Sequence, residues 1–324
     1  MCDVIPRYLK GIIVPMLTPC HEDGSLDDEA IRALVRHFKS LGFVSALFVR
    51  SGVGQMYTFS VADAKHIFDV ATEEAGEIPV MAGAAGEYDN HPAHRPDPDG
   101  YAGQTVELVS YASKKRCCAA VLALPVALRK EPGRPLSETI YDYYHRVSAR
   151  AELPLVVYQP PALEKAYRMT PELLRRISRL KMIVAMKYSV PERKAFAAMA
   201  DVVRGTNFAL ICGIEEFYIH AMPLGATGVI AGGCNTHPEI IYAIQRAYQN
   251  GNPDEAAKAQ EDLLRALHVF DGLDWPTAAI GYMSRRVPGV KPFTRTELMS
   301  YDAGIIDRVE RELDQILQPY RNKS

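Results

Sequence analysis

Eight short apolar runs punctuate the chain: Ile12–Leu17, Val44–Val49, Ile78–Ala82, Cys118–Leu124, Leu155–Tyr158, Met182–Met186, Phe208–Cys212 and Thr227–Ala231. Between them the apolar positions take up a helical period. Ile31, Leu34, Val35, Phe38 and Leu41 share one helix face, with Asp27-Asp28-Glu29 at its start and Gly42 at its end. A second helix opens at Ser60 with Asp63 three residues on, a capping box with the shorter acid. Thr170-Pro171-Glu172 supplies a hydroxyl cap and a proline at the first helical position. Strands alternating with helices predict a parallel sheet. Eight such units, with strands apolar along their length, predict a closed (β/α)8 TIM barrel over residues 1–250. Residues 251–324 read as a C-terminal helical extension packed on that barrel, with helices across Asp254–Phe270 and Ile305–Leu317 and no flexible linker before them.

One connection departs from this rhythm. After the third strand, Gly86–Gly103 is mostly polar and carries Pro92, Pro96 and Pro98. A loop of that length is either functional or disordered. A βα loop emerges on the face where barrels keep their active sites, so Tyr88, His91, His94 and Tyr101 are candidates to overhang the mouth. His91 and His94 at i, i+3 with Asp97 or Asp99 also allow a metal site; histidines among loop prolines are more often plain surface residues, and no metal is expected.

Composition narrows the function classes. The 324 residues are 48% hydrophobic and 23% charged, with a formal charge of −2. No basic field exists to gather nucleic acid or anionic lipid. The six cysteines form no CxxC pair, which suits free thiols in a reducing compartment. Met1–Lys10 lacks a basic segment followed by an apolar one, and no apolar stretch reaches the length of a membrane span. These features point to a cytoplasmic protein with small-molecule partners.

Chemistry concentrates at strand ends. Lys187 closes the apolar run Met182–Met186. Burial disfavours an ammonium ion and frees the amine to attack a carbonyl, although a rim lysine that snorkels to water fits the same sequence. The preceding strand ends in Tyr158-Gln159-Pro160-Pro161, which sets a phenol beside that lysine as a proton relay or a packed rim aromatic. After the second strand come Ser51-Gly52-Val53-Gly54-Gln55, where glycines let backbone N–H groups approach an anion such as a carboxylate.

Together these segments resemble the dihydrodipicolinate synthase/N-acetylneuraminate lyase family, and the likeness covers nearly the whole chain. Val14-Pro15-Met16-Leu17-Thr18-Pro19 is similar to the family's opening. Residues 51–55 occupy the place of its GTTGE loop, Tyr158-Gln159-Pro160-Pro161 that of its YNxP motif, and Met186-Lys187 that of its IK motif. Gly213-Ile214-Glu215-Glu216 and the stretch Gly225–Asn235 resemble its later turns. The resemblance implies Lys187 as Schiff-base lysine and Tyr158 as proton shuttle. It implies carboxylate binding at Ser51, Gly52, Val53 and Gly54, and substrate binding at Gly213, Glu215, Glu216 and Asn235, with the Gly213–Glu216 stretch either contacting substrate hydroxyls or supplying acids to the start of the next helix. It further implies no cofactor and assembly as a homodimer or homotetramer.

The expected activity is a lyase or aldolase, or a related dehydratase, acting on pyruvate or a 2-oxo (sugar) acid. The chain departs from the family's lysine-pathway synthases at three places. The two loop hydroxyls become Gly52 and Val53, the partner-subunit tyrosine's stretch becomes Pro125-Val126-Ala127, and the dicarboxylate-binding arginine becomes Leu163. These changes point away from a true dihydrodipicolinate synthase. That activity, a catalytically altered binding or regulatory barrel, and a metal-dependent aldolase are the competing readings.

Overall fold

The computed structural model describes residues 5–161, 163–296 and 302–321, so Cys2 lies outside the described residues. Eight strands close in sequence order: β1 (Gly11–Pro15), β2 (Val44–Val49), β3 (Val80–Gly83), β4 (Ala119–Ala123), β5 (Leu155–Gln159), β6 (Ile183–Tyr188), β7 (Ala209–Cys212) and β8 (Gly228–Val229). Each neighbouring pair is parallel, and β8 pairs back onto β1. The alternation of side chains along each strand builds two clusters. Ile13, Phe48, Val121, Val156, Ala185 and Ile211 fill the barrel interior. Their neighbours Val14, Leu47, Leu122, Val157, Met186 and Leu210 pack outward against the helices. Because both faces are covered, the strands read as continuous apolar runs.

The helices begin where local chemistry satisfies their first N–H groups. Asp27 accepts from the Ala30 N–H at the start of α1 (Asp28–Ser40). Ser60 and Asp63 form a reciprocal capping box on α2 (Val61–Ala75). In the long third connection, α3 (Pro98–Lys114) begins earlier than the expected loop end at Gly103, because proline is tolerated at a helix's first position and Asp97 caps the Gly100 N–H. The irregular segment is therefore 84–97. It is tied down: the Gly86 N–H donates to Thr105 Oγ1 and the Glu87 N–H to Gln104 Oε1. Tyr101, expected as a mouth aromatic, is instead buried on α3 and stacks on Tyr143.

The remaining barrel helices are α4 (Leu136–Ser148), α5 (Pro171–Ile177, capped by Thr170), α6 (Arg193–Val203), α7 (Glu215–Ala221) and α8 (Pro238–Gln249). Three more follow: α9 (Pro253–His268), α10 (Trp275–Arg286) and α11 (Ala303–Arg321). Their apolar faces, with Leu263, Ile280 and Leu313, join the same cluster as the outward strand residues. The start of α10 reaches the barrel mouth, where Trp275 closes on Gly232; a Cβ on that glycine would lie 3.2 Å from the indole. No helix among the described residues is long and apolar enough to cross a membrane.

Candidate active site

Tyr158 and Lys187 are register partners on β5 and β6. By strand parity Tyr158 follows Val156 and Lys187 follows Ala185, both interior residues, so both side chains turn into the barrel. Lys187 is buried and its Nζ lies 4.1 Å from the centre of the Tyr158 ring. Burial brings the ammonium down to about 8, with Cys234, Glu215 and Cys212 as smaller opposing influences. The Tyr158 phenol is pushed well above its usual range, by burial first and by Tyr57 second, and stays protonated.

The loop after β2 folds round Ser51. Its hydroxyl donates to the Met16 carbonyl at 2.9 Å and accepts from the Gly54 N–H at 3.0 Å. That donor is in use within the chain, so Ser51 shapes the loop. The Gly52 and Val53 N–H groups donate to no described residue. Gly52 lets Tyr158 approach: a Cβ there would lie 3.1 Å from the phenol oxygen. Gly54 is tighter still, since its Cβ would meet the Met16 carbonyl at 2.5 Å. Gln55, where the family motif has an acid, has a left-handed φ of 60° and clasps Thr296, donating to its carbonyl at 2.8 Å and accepting from its N–H at 3.1 Å. A carboxylate can accept but cannot donate, so the amide is suited to this clasp.

Arg50 is a cation turned away from the mouth. It directly follows β2, but its guanidinium turns back to the carbonyls of Gly83, Ala85 and Phe59 at 2.7–3.0 Å. It is fully buried, and burial lowers its pKa to about 10.

On the opposite wall, α7 starts with two adjacent acids that part company. Glu215 is buried, accepts from the Gly233 N–H at 2.8 Å and is raised by burial above the ordinary carboxyl range. Glu216 is exposed, because consecutive residues on a helix project about 100° apart. The two acids are therefore not brought together. Gly213 makes room for Ser189, whose Oγ would lie 2.0 Å from a Cβ. Asn235 is buried; its side chain accepts from the Leu17 N–H and donates to the Pro15 and Gly232 carbonyls. It staples the turn after β8 to β1. His237, which the sequence did not single out, is wholly buried beside Gly233 and is lowered by burial to about 3. Its Nδ1 meets Thr236 Oγ1 at 2.9 Å. A histidine directly before the proline that begins α8 was the available signal.

Above Tyr158 lies a cavity of about 590 Å³. Gly52, Val53 and Tyr158 meet it from the strand ends, Val126 and Leu163 from the following loops, Tyr88 and Arg95 from segment 84–97, and Pro276 from α10. The His91 and His94 rings lie tilted against each other with centres 4.4 Å apart, and His94 pairs with Asp89 at 2.6 Å on the exposed side of that segment. Among the described residues no group of three or more His, Cys, Asp or Glu converges as a metal site.

The chain as a whole resembles known proteins. The sequence profile of the Dihydrodipicolinate synthetase family matches residues 8–90 and 132–273. A 4-hydroxy-tetrahydrodipicolinate synthase of Chlorobaculum parvum is 24% identical over 310 residues, covering 96% of this chain and 98% of that protein. A probable 2-dehydro-3-deoxy-D-pentonate aldolase of Escherichia coli is 25% identical over 288 residues, covering 88% and 89%. The crystal structure of YagE, a prophage protein of the dihydrodipicolinic acid synthase family from E. coli K12 in complex with pyruvate, superposes with a TM-score of 0.80 at 23% identity, covering 95% of this chain and 98% of that one. The last likeness establishes the fold.

Proposed function

The chain belongs to the dihydrodipicolinate synthetase family of lyases, and on that premise we propose that it is a Schiff-base aldolase or lyase acting on pyruvate and its adducts. The observation that carries this reading is the buried Lys187 amine, lowered to about 8 and set against the Tyr158 ring. A useful fraction of such an amine is neutral near pH 7, whereas a solvated lysine is almost wholly protonated.

In the cleavage direction, Lys187 Nζ attacks the ketone carbon and the carbinolamine loses water to give an iminium ion. The bond beyond the adjacent carbon then breaks, its electron pair moves into the iminium, and the departing hydroxyl loses its proton to become an aldehyde. The enamine is reprotonated on carbon, and water releases pyruvate and the free amine. Tyr158 moves the protons in these steps. The Gly52 and Val53 amides bind the 2-oxo acid carboxylate, with Ser51 holding their loop in shape. The Glu215 carboxyl stays close to Lys187 as a hydrogen-bonding group of the inner wall. Condensation is the same path reversed.

We place the protein in the cytoplasm as a homo-oligomer; the free Cys20, Cys117, Cys118, Cys212 and Cys234 accord with the former. The test of function is borohydride reduction in the presence of pyruvate, followed by peptide mass spectrometry. Adduct on the peptide carrying Lys187 supports the reading, and adduct elsewhere, or none, overturns it.

A further inference from the structure

Arg50 carries a charge that nothing in contact with it neutralises. Its guanidinium is occupied by three backbone carbonyls, those of Gly83, Ala85 and Phe59, and its Nε is buried without a hydrogen-bond partner. No carboxylate among the described residues comes within ion-pair distance of it. The acids nearest in influence are Glu87 and Asp63, and both are engaged elsewhere. Glu87 accepts from the Val61 N–H, while Asp63 caps Ser60 and pairs with Arg295 at 3.4 Å. Carbonyl dipoles solvate a cation but leave its unit charge in place, and at about 10 the guanidinium stays protonated near neutral pH.

Burying an uncompensated charge is costly, and the backbone here is strained as well. Arg50 has a left-handed φ of 47°, uncommon outside glycine. Its carbonyl presses so closely on Gly83 that a Cβ there would lie 2.1 Å away. Strain and unpaired charge gathered on one residue point to a functional position.

The anion loop begins directly after this residue. Gly52 and Val53, whose N–H groups donate to no described residue, follow two and three positions later. Two residues of chain span at most about 7 Å. The charge also reaches the cavity wall: Tyr57 lines it with Gly52 and Tyr158, and Arg50 draws the Tyr57 phenol down against the upward push of burial. In its reactive state Lys187 is a neutral amine and offers an arriving anion no counter-charge. Arg95, on the outer wall, is partly open to solvent, so salt screens its field.

Taking the imine reading of Lys187 as given, we propose that Arg50 is a positioning residue that selects ketones bearing a carboxylate. Without touching the substrate, its buried charge draws the carboxylate to the Gly52 and Val53 amides. The amides supply the hydrogen bonds and Arg50 supplies the field.

The experiment compares pyruvate with methyl pyruvate, which keeps the ketone and removes the charge. Borohydride trapping on Lys187, read by mass spectrometry, gives the half-saturating concentration of each ketone for the wild type, Arg50→Gln and Arg50→Lys. The wild type should prefer pyruvate and keep that preference in about 1 M KCl, where the Debye length is about 3 Å. Arg50→Gln retains an amide donor for the carbonyls and should cut the preference on the order of tenfold. That is the effect of a unit charge over roughly 10 Å at an effective dielectric of about 20. Arg50→Lys keeps the charge with fewer hydrogen bonds, so it should lose thermal stability yet retain the preference. An Arg50→Gln loss equal for both ketones, or an Arg50→Lys preference as low as that of Arg50→Gln, leaves Arg50 a structural tie and overturns this inference alone. A wild-type preference that collapses in salt assigns the charge to a solvent-exposed cation and also overturns it, with no variant required. No adduct of pyruvate with the wild type removes the imine reading and this inference with it.

Discussion

Lys187 Nζ sits 4.1 Å from the centre of the Tyr158 ring, and the two residues are register partners on adjacent parallel strands. Neither Nζ nor the phenol oxygen hydrogen-bonds to a described residue, so both polar ends remain available to a substrate. The ring face also attracts a cation, which makes the low lysine pKa a consequence of burial that this contact does not overcome.

Replacing the nucleophile separates the roles. Lys187→Ala and Lys187→Arg should both abolish borohydride trapping of pyruvate, because arginine stays protonated and offers no free amine. An adduct persisting on the Arg variant assigns the chemistry to another lysine.

Removing one oxygen tests the relay. Tyr158→Phe keeps the ring against Lys187 and should keep the fold, measured by thermal unfolding, while turnover falls about 10²- to 10⁴-fold. Unchanged turnover would leave Tyr158 as packing alone.

The lowered lysine makes two pH predictions. Imine formation requires the neutral amine, so its rate with pyruvate should rise with pH and level off above about 8. For stability, a lysine at about 8 when folded and near its ordinary 10.5 when unfolded binds fewer protons in the native state between those values. Wild-type stability from this group is therefore lowest below pH 8 and recovers as pH rises toward 10.5. Lys187→Met should unfold at higher temperature than wild type at pH 7, with the gap narrowing by pH 10. A gap that stays constant across that window would contradict the assigned burial cost.

The carboxylate loop depends on Gly54. Its Cβ would fall 2.5 Å from the Met16 carbonyl and 2.8 Å from Thr18 Oγ1. Gly54→Ala should cost about 1–3 kcal/mol in denaturant unfolding, the usual scale of overpacking, and should raise KM for pyruvate. A variant with native stability and KM would show that the loop yields freely.

Aspartate semialdehyde should be a poor partner. Leu163 stands where the family's lysine-pathway synthases carry the arginine for its carboxylate, and Arg50 turns inward to three carbonyls. Its kcat/KM in a coupled assay should lie at least tenfold below that of the preferred aldehyde. Parity between the two would defeat the argument from this apolar replacement.

The sequence by itself determined the barrel, because a short run apolar on both faces next to an amphipathic run of period 3.6 has few ways to bury both, and eight such pairs close on themselves. It also singled out Lys187, since a lysine ending an apolar strand breaks the local pattern, and its capping signals at Asp27, Ser60 and Thr170 match the helix starts. What it could not hold was the direction of side chains at turns and the partners they meet across the fold. Arg50 and Arg95 are both arginines near the mouth, yet one is consumed by carbonyls of the neighbouring β3 end and the other fronts the cavity. Glu215 and Glu216 are adjacent letters that a helix start sends to opposite environments. Gln55 reads as a lost acid until Thr296, over two hundred residues away, closes on its amide. Strand and helix periods are short-range and are written locally. Hydrogen-bond partners at a barrel mouth come from distant segments, and only the closed tertiary structure brings them within the roughly 3 Å at which they act.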